Sequence, residues 1–244
     1  MCRANALYGR GELPLALETS QAGLALAERI ADERVAVLLG SVLASIETDL
    51  GLDEAARADA ELWLKRSDEL RQIVMQCLGR QVLAYYHFQH GEWAQAVALY
   101  DQCAALYGPT DNRLAHLVLG PYPALARLRL GRVDEAAQWI ADYLTLAREA
   151  EAPHYVGCAL WAQGQIMVTQ GLTAQAVAAF DGSVATLDEL GSRLELGRAL
   201  YQRGLLRRTL GEAEAARNDS QRALELFEAC GAVRDREHAA QSLA

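Results

Sequence analysis

Apolar residues recur along this chain at the spacing of one face of a helix. A representative stretch has apolar side chains at Ala96, Val97, Tyr100, Ala104 and Tyr107. This three- and four-residue spacing is typical of amphipathic helices. The strict alternation of apolar and polar residues that marks a half-buried strand is absent throughout. The pattern therefore predicts an all-α protein.

Glycine returns at a constant spacing of forty residues, at Gly11, Gly51, Gly91, Gly131, Gly171 and Gly211. Alanine follows each of these glycines by five residues, at Ala16, Ala56, Ala96, Ala136, Ala176 and Ala216. A small residue precedes each glycine by seven residues, at Ala4, Ala44, Ala84, Ala124, Gly164 and Gly204. Three columns that agree in six registers indicate six copies of one structural unit.

Each column has a physical reason. The glycine ends a first helix, because it adopts the left-handed conformation without a Cβ clash. The two small columns allow a first and a second helix to approach closely, and short links then stack pair upon pair into a solenoid. The columns predict a single repeat domain over residues 1–244, with units 1–31, 32–71, 72–111, 112–151, 152–191 and 192–231 and a partial seventh unit, 232–244.

These columns resemble the tetratricopeptide repeat (TPR), which has a small residue in its first helix, glycine near the turn and alanine early in its second helix. The family's aromatic residue four positions after that alanine is matched by Tyr100 and Phe180. The period of forty departs from the usual period of about 34, as in the repeats of MalT-like bacterial transcription activators and signalling ATPases and cyclases. The resemblance implies a right-handed α-solenoid of antiparallel helix pairs.

Composition narrows the class of protein. The chain is 52 % hydrophobic, and its 23 basic and 32 acidic residues give a net charge of −9, which disfavours nucleic acid and anionic membranes as partners. No apolar run is long enough to span a membrane. The five cysteines are odd in number and lack C-x-x-C spacing, which argues against a disulfide framework and predicts reduced thiols in a cytoplasmic protein.

Motifs for catalysis or cofactor binding are missing. The sequence has no phosphate-binding loop and no H-E-x-x-H or G-x-S-x-G motif. His87 and His90 share a helix, but no carboxylate is placed to complete a metal site with them. Acidic pairs such as Asp53-Glu54 belong in first turns of second helices, where they complement the helix dipole. We therefore expect no cofactor, no metal and no enzymatic activity.

Local features predict one irregularity and one basic stripe. Pro121 and Pro123, together with Gly120, should split the first helix of the fourth unit. Arg203, Arg207 and Arg208 should form a basic stripe on the sixth first helix, with solvent as its default neighbour.

If the family's pattern carries over, the first helices line a concave groove through positions two, three, six, ten and thirteen residues before each glycine. Residues there combine aromatic, amide, hydroxyl and arginine chemistry, which suits a protein segment or a small polar ligand. The candidate binding residues are Gln81, Tyr85, Gln89, Arg129, Trp161, Gln165, Thr169, Arg198, Tyr201 and Arg208. The alternative is that the aromatic members simply pack between neighbouring helices.

The expected function is a non-catalytic scaffold or sensor that binds a partner in this groove. The resemblance implies the regulatory region of a bacterial signalling or transcription-regulatory protein, with flanking domains if the chain is a piece of a longer one. A complete protein with a short capping helix is the other interpretation of its ends. Two other functions stay open: a self-associating structural adaptor, and an α-helical enzyme, which the scarcity of groove carboxylates other than Asp49 disfavours.

Overall fold

The protein is helical wherever its structure is described. The computed structural model describes residues 2–107 and 113–243, and it contains no strand within those ranges. The α-helices are α1 Cys2–Gly9, α2 Leu13–Arg29, α3 Glu33–Asp49, α4 Asp53–Glu69, α5 Ile73–Gln89, α6 Trp93–Tyr107, α7 Tyr122–Arg129, α8 Val133–Glu149, α9 Pro153–Thr169, α10 Thr173–Glu189, α11 Arg193–Thr209, α12 Ala213–Cys230 and α13 Val233–Leu243, and a 3₁₀ segment covers Arg113–Leu119.

The chain divides into two compact bodies, an N-terminal body of residues 1–119 and a C-terminal body of residues 120–244. In both, consecutive helices pack against each other as pairs, and the first helix of one repeat also contacts the first helix of the next. In the N-terminal body these first helices are α1, α3 and α5, and in the C-terminal body α7, α9 and α11. The prediction of an all-α solenoid of helix pairs is confirmed.

One turn geometry joins the helices. At Gly51 the backbone has φ = 74°, in the left-handed region, and its N–H donates to the Thr48 carbonyl at 3.2 Å. The next N–H, of Leu52, reaches back to the Glu47 carbonyl at 2.9 Å. These two bonds form a Schellman motif that satisfies the last carbonyls of α3. The Leu52 carbonyl then accepts from Ala56 N–H at 2.8 Å and opens α4.

The same turn occurs where no glycine marks it. Ala31, Arg71 and Glu151 have φ of 55°, 52° and 50°, in the turns that end second helices. At Glu151 the two N–H groups of the motif donate to Arg148 and Ala147 at 3.0 Å each. The predicted left-handed glycines are confirmed. Among the described residues, second helices also end at a left-handed residue, with glycine at Gly191 and Gly231 and without it at the three turns above.

The two small columns are buried, as predicted, at the contact between paired helices. A Cβ added at Gly164 would lie 2.7 Å from the ring of Phe180, so this aromatic residue packs directly on the glycine backbone. Outside the predicted columns, Gly40 also allows an aromatic ring to pack on its backbone. A Cβ there would lie only 1.9 Å from the Trp63 indole, so no larger residue fits. Close approach between helices therefore depends on glycine at more positions than the period alone indicates.

The first helix of the fourth repeat is interrupted, as Pro121 and Pro123 predict. The 3₁₀ segment ends at Leu119, Gly120 has φ = 66°, and α7 begins at Tyr122 and has eight residues where a full helix has seventeen. Pro123 lies in the first turn of α7, where its missing N–H costs no hydrogen bond.

Other local predictions are also confirmed. The acidic pairs Asp53-Glu54 and Asp134-Glu135 lie in the first turns of α4 and α8. The predicted unit 232–244 contains the helix α13, and its last residue, Ala244, lies outside the described residues. No described helix is long and apolar enough to cross a bilayer.

Changes at the turn residues should alter stability in opposite directions. Gly171 has φ = 74° and open space around a Cβ, so Gly171→Ala should cost about 1 kcal/mol through the backbone alone. Glu151→Gly should stabilise by up to about 1 kcal/mol, because glycine tolerates the same φ. Urea denaturation measures both changes, and equal effects of the same sign would contradict the shared turn geometry.

Candidate functional site

The first helices of adjacent repeats lie side by side in a constant register. We call the positions two, three, six, ten and thirteen residues before the turn glycine the first-helix face. Asp49 contacts Tyr85, and Arg129 contacts Gln165, in the same relation: two before one glycine to six before the next. The amide of Gln81 likewise donates to the Val118 carbonyl at 2.7 Å. Positions of the first-helix face are thus in contact between neighbouring repeats, and the contact between positions two and six recurs in both bodies.

In the N-terminal body this face holds a buried carboxylate. Asp49 is 1 % exposed, and Tyr8 donates to its Oδ2 at 2.7 Å. Tyr85 donates to Oδ1, and the Gln89 amide donates to the Tyr85 hydroxyl at 2.8 Å. Two phenol donors satisfy the charge that burial would otherwise penalise. The network ties α1, α3 and α5 together, and Tyr85 and Gln89 serve it as structural members.

In the C-terminal body the face carries an arginine that bonds to an amide. Arg129 Nη2 donates to Gln165 Oε1 at 3.0 Å, and the Thr169 hydroxyl donates to the Gln165 carbonyl at 3.2 Å. Arg129 is exposed as a residue, yet its guanidinium lies partly out of water, and this desolvation lowers the pKa of Arg129. Gln165 is 6 % exposed and holds the guanidinium in place.

Arg198 lies on the same face but is buried and saturated. It is 4 % exposed and makes a bidentate pair with Asp235, at 3.0 and 2.7 Å. It also donates to Glu195 at 3.1 Å and to the Tyr122 hydroxyl at 2.8 Å. Arg198 therefore joins α7, α11 and α13, and we leave it out of any surface offered to a partner.

The other candidates divide by exposure. Trp161 is 6 % exposed and packs edge-on against Tyr122, with ring centroids 6.3 Å apart. The hydroxyl of Tyr201 donates to the His238 carbonyl at 3.3 Å. The exposed candidates are Arg129, Thr169 and Arg208, the half-buried ones Gln81, Gln89 and Tyr201, and the buried ones Tyr85, Trp161, Gln165 and Arg198.

The expectation of a solvent-facing basic stripe on α11 is wrong for two of its three arginines. Arg203 pairs with Asp219 at 2.7 Å and with Asp181 at 2.8 Å, and Arg207 pairs with Asp219 at 2.9 Å. Their carboxylates come from the second helices α10 and α12. An acid eight residues after the turn glycine is the signal that would have predicted this pairing.

The second repeat places two acids where the sixth has that ion pair. Glu47 and Asp59 stand four before and eight after Gly51, as Arg207 and Asp219 do around Gly211. Burial, and then the charge of Asp59, raises the pKa of Glu47 to about 7, and burial raises the pKa of Asp59 as well. Glu47 Oε2 is buried and has no hydrogen-bond partner. The two acids repel each other when both are ionised, and this repulsion destabilises the second repeat.

The two histidines near a turn have ordinary local partners. His87 Nδ1 contacts Glu92, and His90 Nδ1 contacts the Tyr86 carbonyl at 2.7 Å. Within residues 2–107 and 113–243, no group of three or more His, Cys, Asp and Glu side chains could hold a metal ion.

Comparison with known proteins places the fold. No family model matches the sequence, and no curated protein matches it significantly. BtubC (BKLC) from P. vanneervenii is similar in structure, with a TM-score of 0.62, 17 % identity, and coverage of 89 % of this chain and 91 % of that one. Aspartyl phosphate phosphatase F from Bacillus subtilis has a TM-score of 0.59 and 14 % identity. This alignment covers 90 % of the present chain and 62 % of the phosphatase.

The fold is a TPR-like helical repeat. The two structural likenesses are at low identity and establish the fold alone, so the chemistry of this TPR-like protein rests on its own side chains.

Stability should depend on pH through Glu47. Because the folded pKa is raised from 4.5 to about 7, the native state binds an extra proton, and stability falls as pH rises between these values. Glu47→Gln should therefore gain stability relative to wild type over this window, reaching about 2 to 3 kcal/mol above pH 7. Urea denaturation at several pH values measures the difference.

The exposed Glu69→Gln variant on α4 is the matched control and should leave the pH profile of stability unchanged. A Glu47→Gln profile that runs parallel to that of wild type would contradict the assignment.

Asp235→Asn should destabilise the TPR-like repeat at α13. The substitution removes the negative charge that pairs with buried Arg198. We therefore expect the free energy of unfolding to fall by about 2 kcal/mol and amide hydrogen exchange over α13 to become faster. Asp188→Asn is the matched control, because its pair with Arg222 is half exposed on both sides, and its cost should stay within about 0.5 kcal/mol. Equal losses in the two variants would contradict the role of Arg198.

Proposed function

We propose that this protein is a non-catalytic scaffold that binds a segment of another protein along the first-helix face of its TPR-like repeats. The C-terminal body supplies the anchor of this surface. There Arg129, positioned by the buried Gln165 and accompanied by the exposed Thr169, receives an acidic side chain of the partner. A small ligand that carries a carboxylate would use the same contacts.

The environment of Arg129 carries the proposal. Its guanidinium is held by the neutral Gln165 amide at 3.0 Å, which fixes its position without neutralising its charge. A planar guanidinium presents several donors, and it binds a carboxylate through two parallel hydrogen bonds. Because the group is partly desolvated, a carboxylate there would gain more than it would beside a fully hydrated arginine.

Other arginines of the chain are already paired with carboxylates. Arg66 binds Glu28 and Glu33 at 3.0 and 2.7 Å, and Arg80 binds Asp68 at 2.6 Å. Arg203 and Arg198 are likewise neutralised within the C-terminal body. Against this background, an exposed arginine held by an amide is suited to an external acid.

The finer part of the proposal is a regulatory role. The forty-residue period resembles the repeats of MalT-like bacterial activators and signalling proteins, and a structural neighbour is named as a phosphatase of aspartyl phosphate. In such a role, binding at the first-helix face would change how neighbouring repeats pack, because the same face also carries the hydrogen bonds between them.

The test is selection of peptides from a displayed random library against the purified protein. Selected peptides should be enriched in Asp or Glu, and Arg129→Ala should weaken their binding by about tenfold at low salt, since a charged hydrogen bond is lost. Fluorescence anisotropy with labelled peptides gives the dissociation constants. Arg129→Lys should retain part of the affinity, because the charge remains but the bidentate geometry is lost.

Arg148 on the second helix α8 provides the matched control. It is also an exposed arginine of the C-terminal body, so Arg148→Ala removes the same charge at a position outside the first-helix face. Equal weakening by Arg129→Ala and Arg148→Ala would show a non-specific charge effect, and unchanged binding by Arg129→Ala would refute the anchor.

A further inference from the structure

The third repeat places two cysteines against each other across its helix pair. Cys77 on α5 and Cys103 on α6 are both buried. Cys77 Sγ lies 3.8 Å from the Cys103 carbonyl oxygen, and Cys103 Sγ lies 3.5 Å from the Cys77 carbonyl oxygen. Because each sulfur reaches the other residue's backbone, both side chains lie in the space between the two helices.

The fifth repeat has the same short separation at the equivalent positions. Gly157 and Ser183 occupy the equivalent positions in the fifth repeat, fourteen before and twelve after Gly171. There the Ser183 hydroxyl donates to the Gly157 carbonyl at 2.8 Å. A side chain with one heavy atom beyond Cβ thus spans the gap to the facing backbone, which is the kind of approach that a disulfide needs.

We propose that Cys77 and Cys103 form a site of reversible oxidation, at which a small peroxide converts the two thiols into a disulfide that ties α5 to α6.

The two sulfurs have different surroundings. A hydrogen bond from the Cys103 thiol, helped by Tyr107 and the Arg80 cation, lowers the pKa of Cys77, while the same thiol contact and burial raise the pKa of Cys103. The thiolate is the nucleophile in such chemistry. The proposed reaction therefore takes Cys77 as the attacking sulfur and Cys103 as the resolving thiol.

The reaction balances with hydrogen peroxide as oxidant. The Cys77 thiolate attacks one peroxide oxygen and breaks the O–O bond, giving a sulfenic acid and a hydroxide that takes up the proton lost from Cys77. The Cys103 sulfur then attacks the sulfenic sulfur, forming the S–S bond and expelling the second oxygen as hydroxide. This hydroxide takes the Cys103 proton. Two thiols and one peroxide become one disulfide and two waters.

Cys158 and Cys230 have different surroundings. Cys158 Sγ faces His154 Nε2 at 3.8 Å, and burial raises the pKa of Cys230 to about 11. Both are buried and serve as internal references. Since Cys77 and Cys103 are also buried, a peroxide close to water in size is the appropriate oxidant, and bulky disulfides are not.

The test is titration of the folded full chain with hydrogen peroxide, followed by unfolding and alkylation of the remaining thiols. The expected result is loss of two alkylatable thiols, an intact mass lower by two hydrogen atoms and a linked peptide pair containing residues 77 and 103. The melting temperature should rise by about 5 °C, because the bond closes a loop in the unfolded chain. Dithiothreitol should reverse all four changes.

Two conservative variants test whether the disulfide needs both cysteines. Cys103→Ser places the residue of the fifth repeat at this position, and Cys77→Ala places a small residue where that repeat has glycine. Both should fold, as circular dichroism will show, and both should lose the linked peptide and the rise in melting temperature. Cys230→Ala should retain both. Wild-type protein that keeps all its thiols, or links other cysteines, or gains only sulfinic acid, would overturn the proposal.

Discussion

The three-residue turn with one left-handed residue is the constraint on which this structure depends. Its last residue closes one helix through its N–H and opens the next through its carbonyl, as Leu52 does between α3 and α4. The length of the turn is therefore fixed, because an added residue would break either the Schellman bond or the first hydrogen bond of the following helix. Helices of seventeen residues and turns of three give the constant period.

A constant period makes positions comparable between repeats, so the chemistry at one position varies while its geometry persists. The pair formed by Arg207 and Asp219 in the sixth repeat becomes Glu47 and Asp59 in the second, which turns an attraction into a repulsion that protonation relieves. The fold tolerates this because each repeat contacts mainly its neighbours, and a local cost is offset by the packing of that repeat alone.

Much of the fold could be predicted from the sequence, because glycine at a left-handed position and small residues at helix contacts are directly visible. The turns at Ala31, Arg71 and Glu151 could not, since these residues adopt the left-handed φ against their preference. Two backbone hydrogen bonds hold the turn at Ala31 and at Glu151, and one holds it at Arg71. The first-helix face was predictable as a row of positions. The burial of Arg198 was not, because its carboxylate partner Asp235 comes from a different repeat.

In the C-terminal body, the exposed candidates on the first-helix face lie nearest the turn. Positions six, ten and thirteen before the turn are buried at Gln165, Trp161 and Arg198, so they hold neighbouring repeats together. The exposed candidates of the C-terminal body, such as Arg129 and Thr169, stand two or three residues before the turn. Carbonyl groups at a helix C-terminus stabilise a nearby cation, so the end of α7 can hold the Arg129 charge without a carboxylate. A partner acid would therefore meet this face at its turn end, where binding need not disrupt the contacts between repeats.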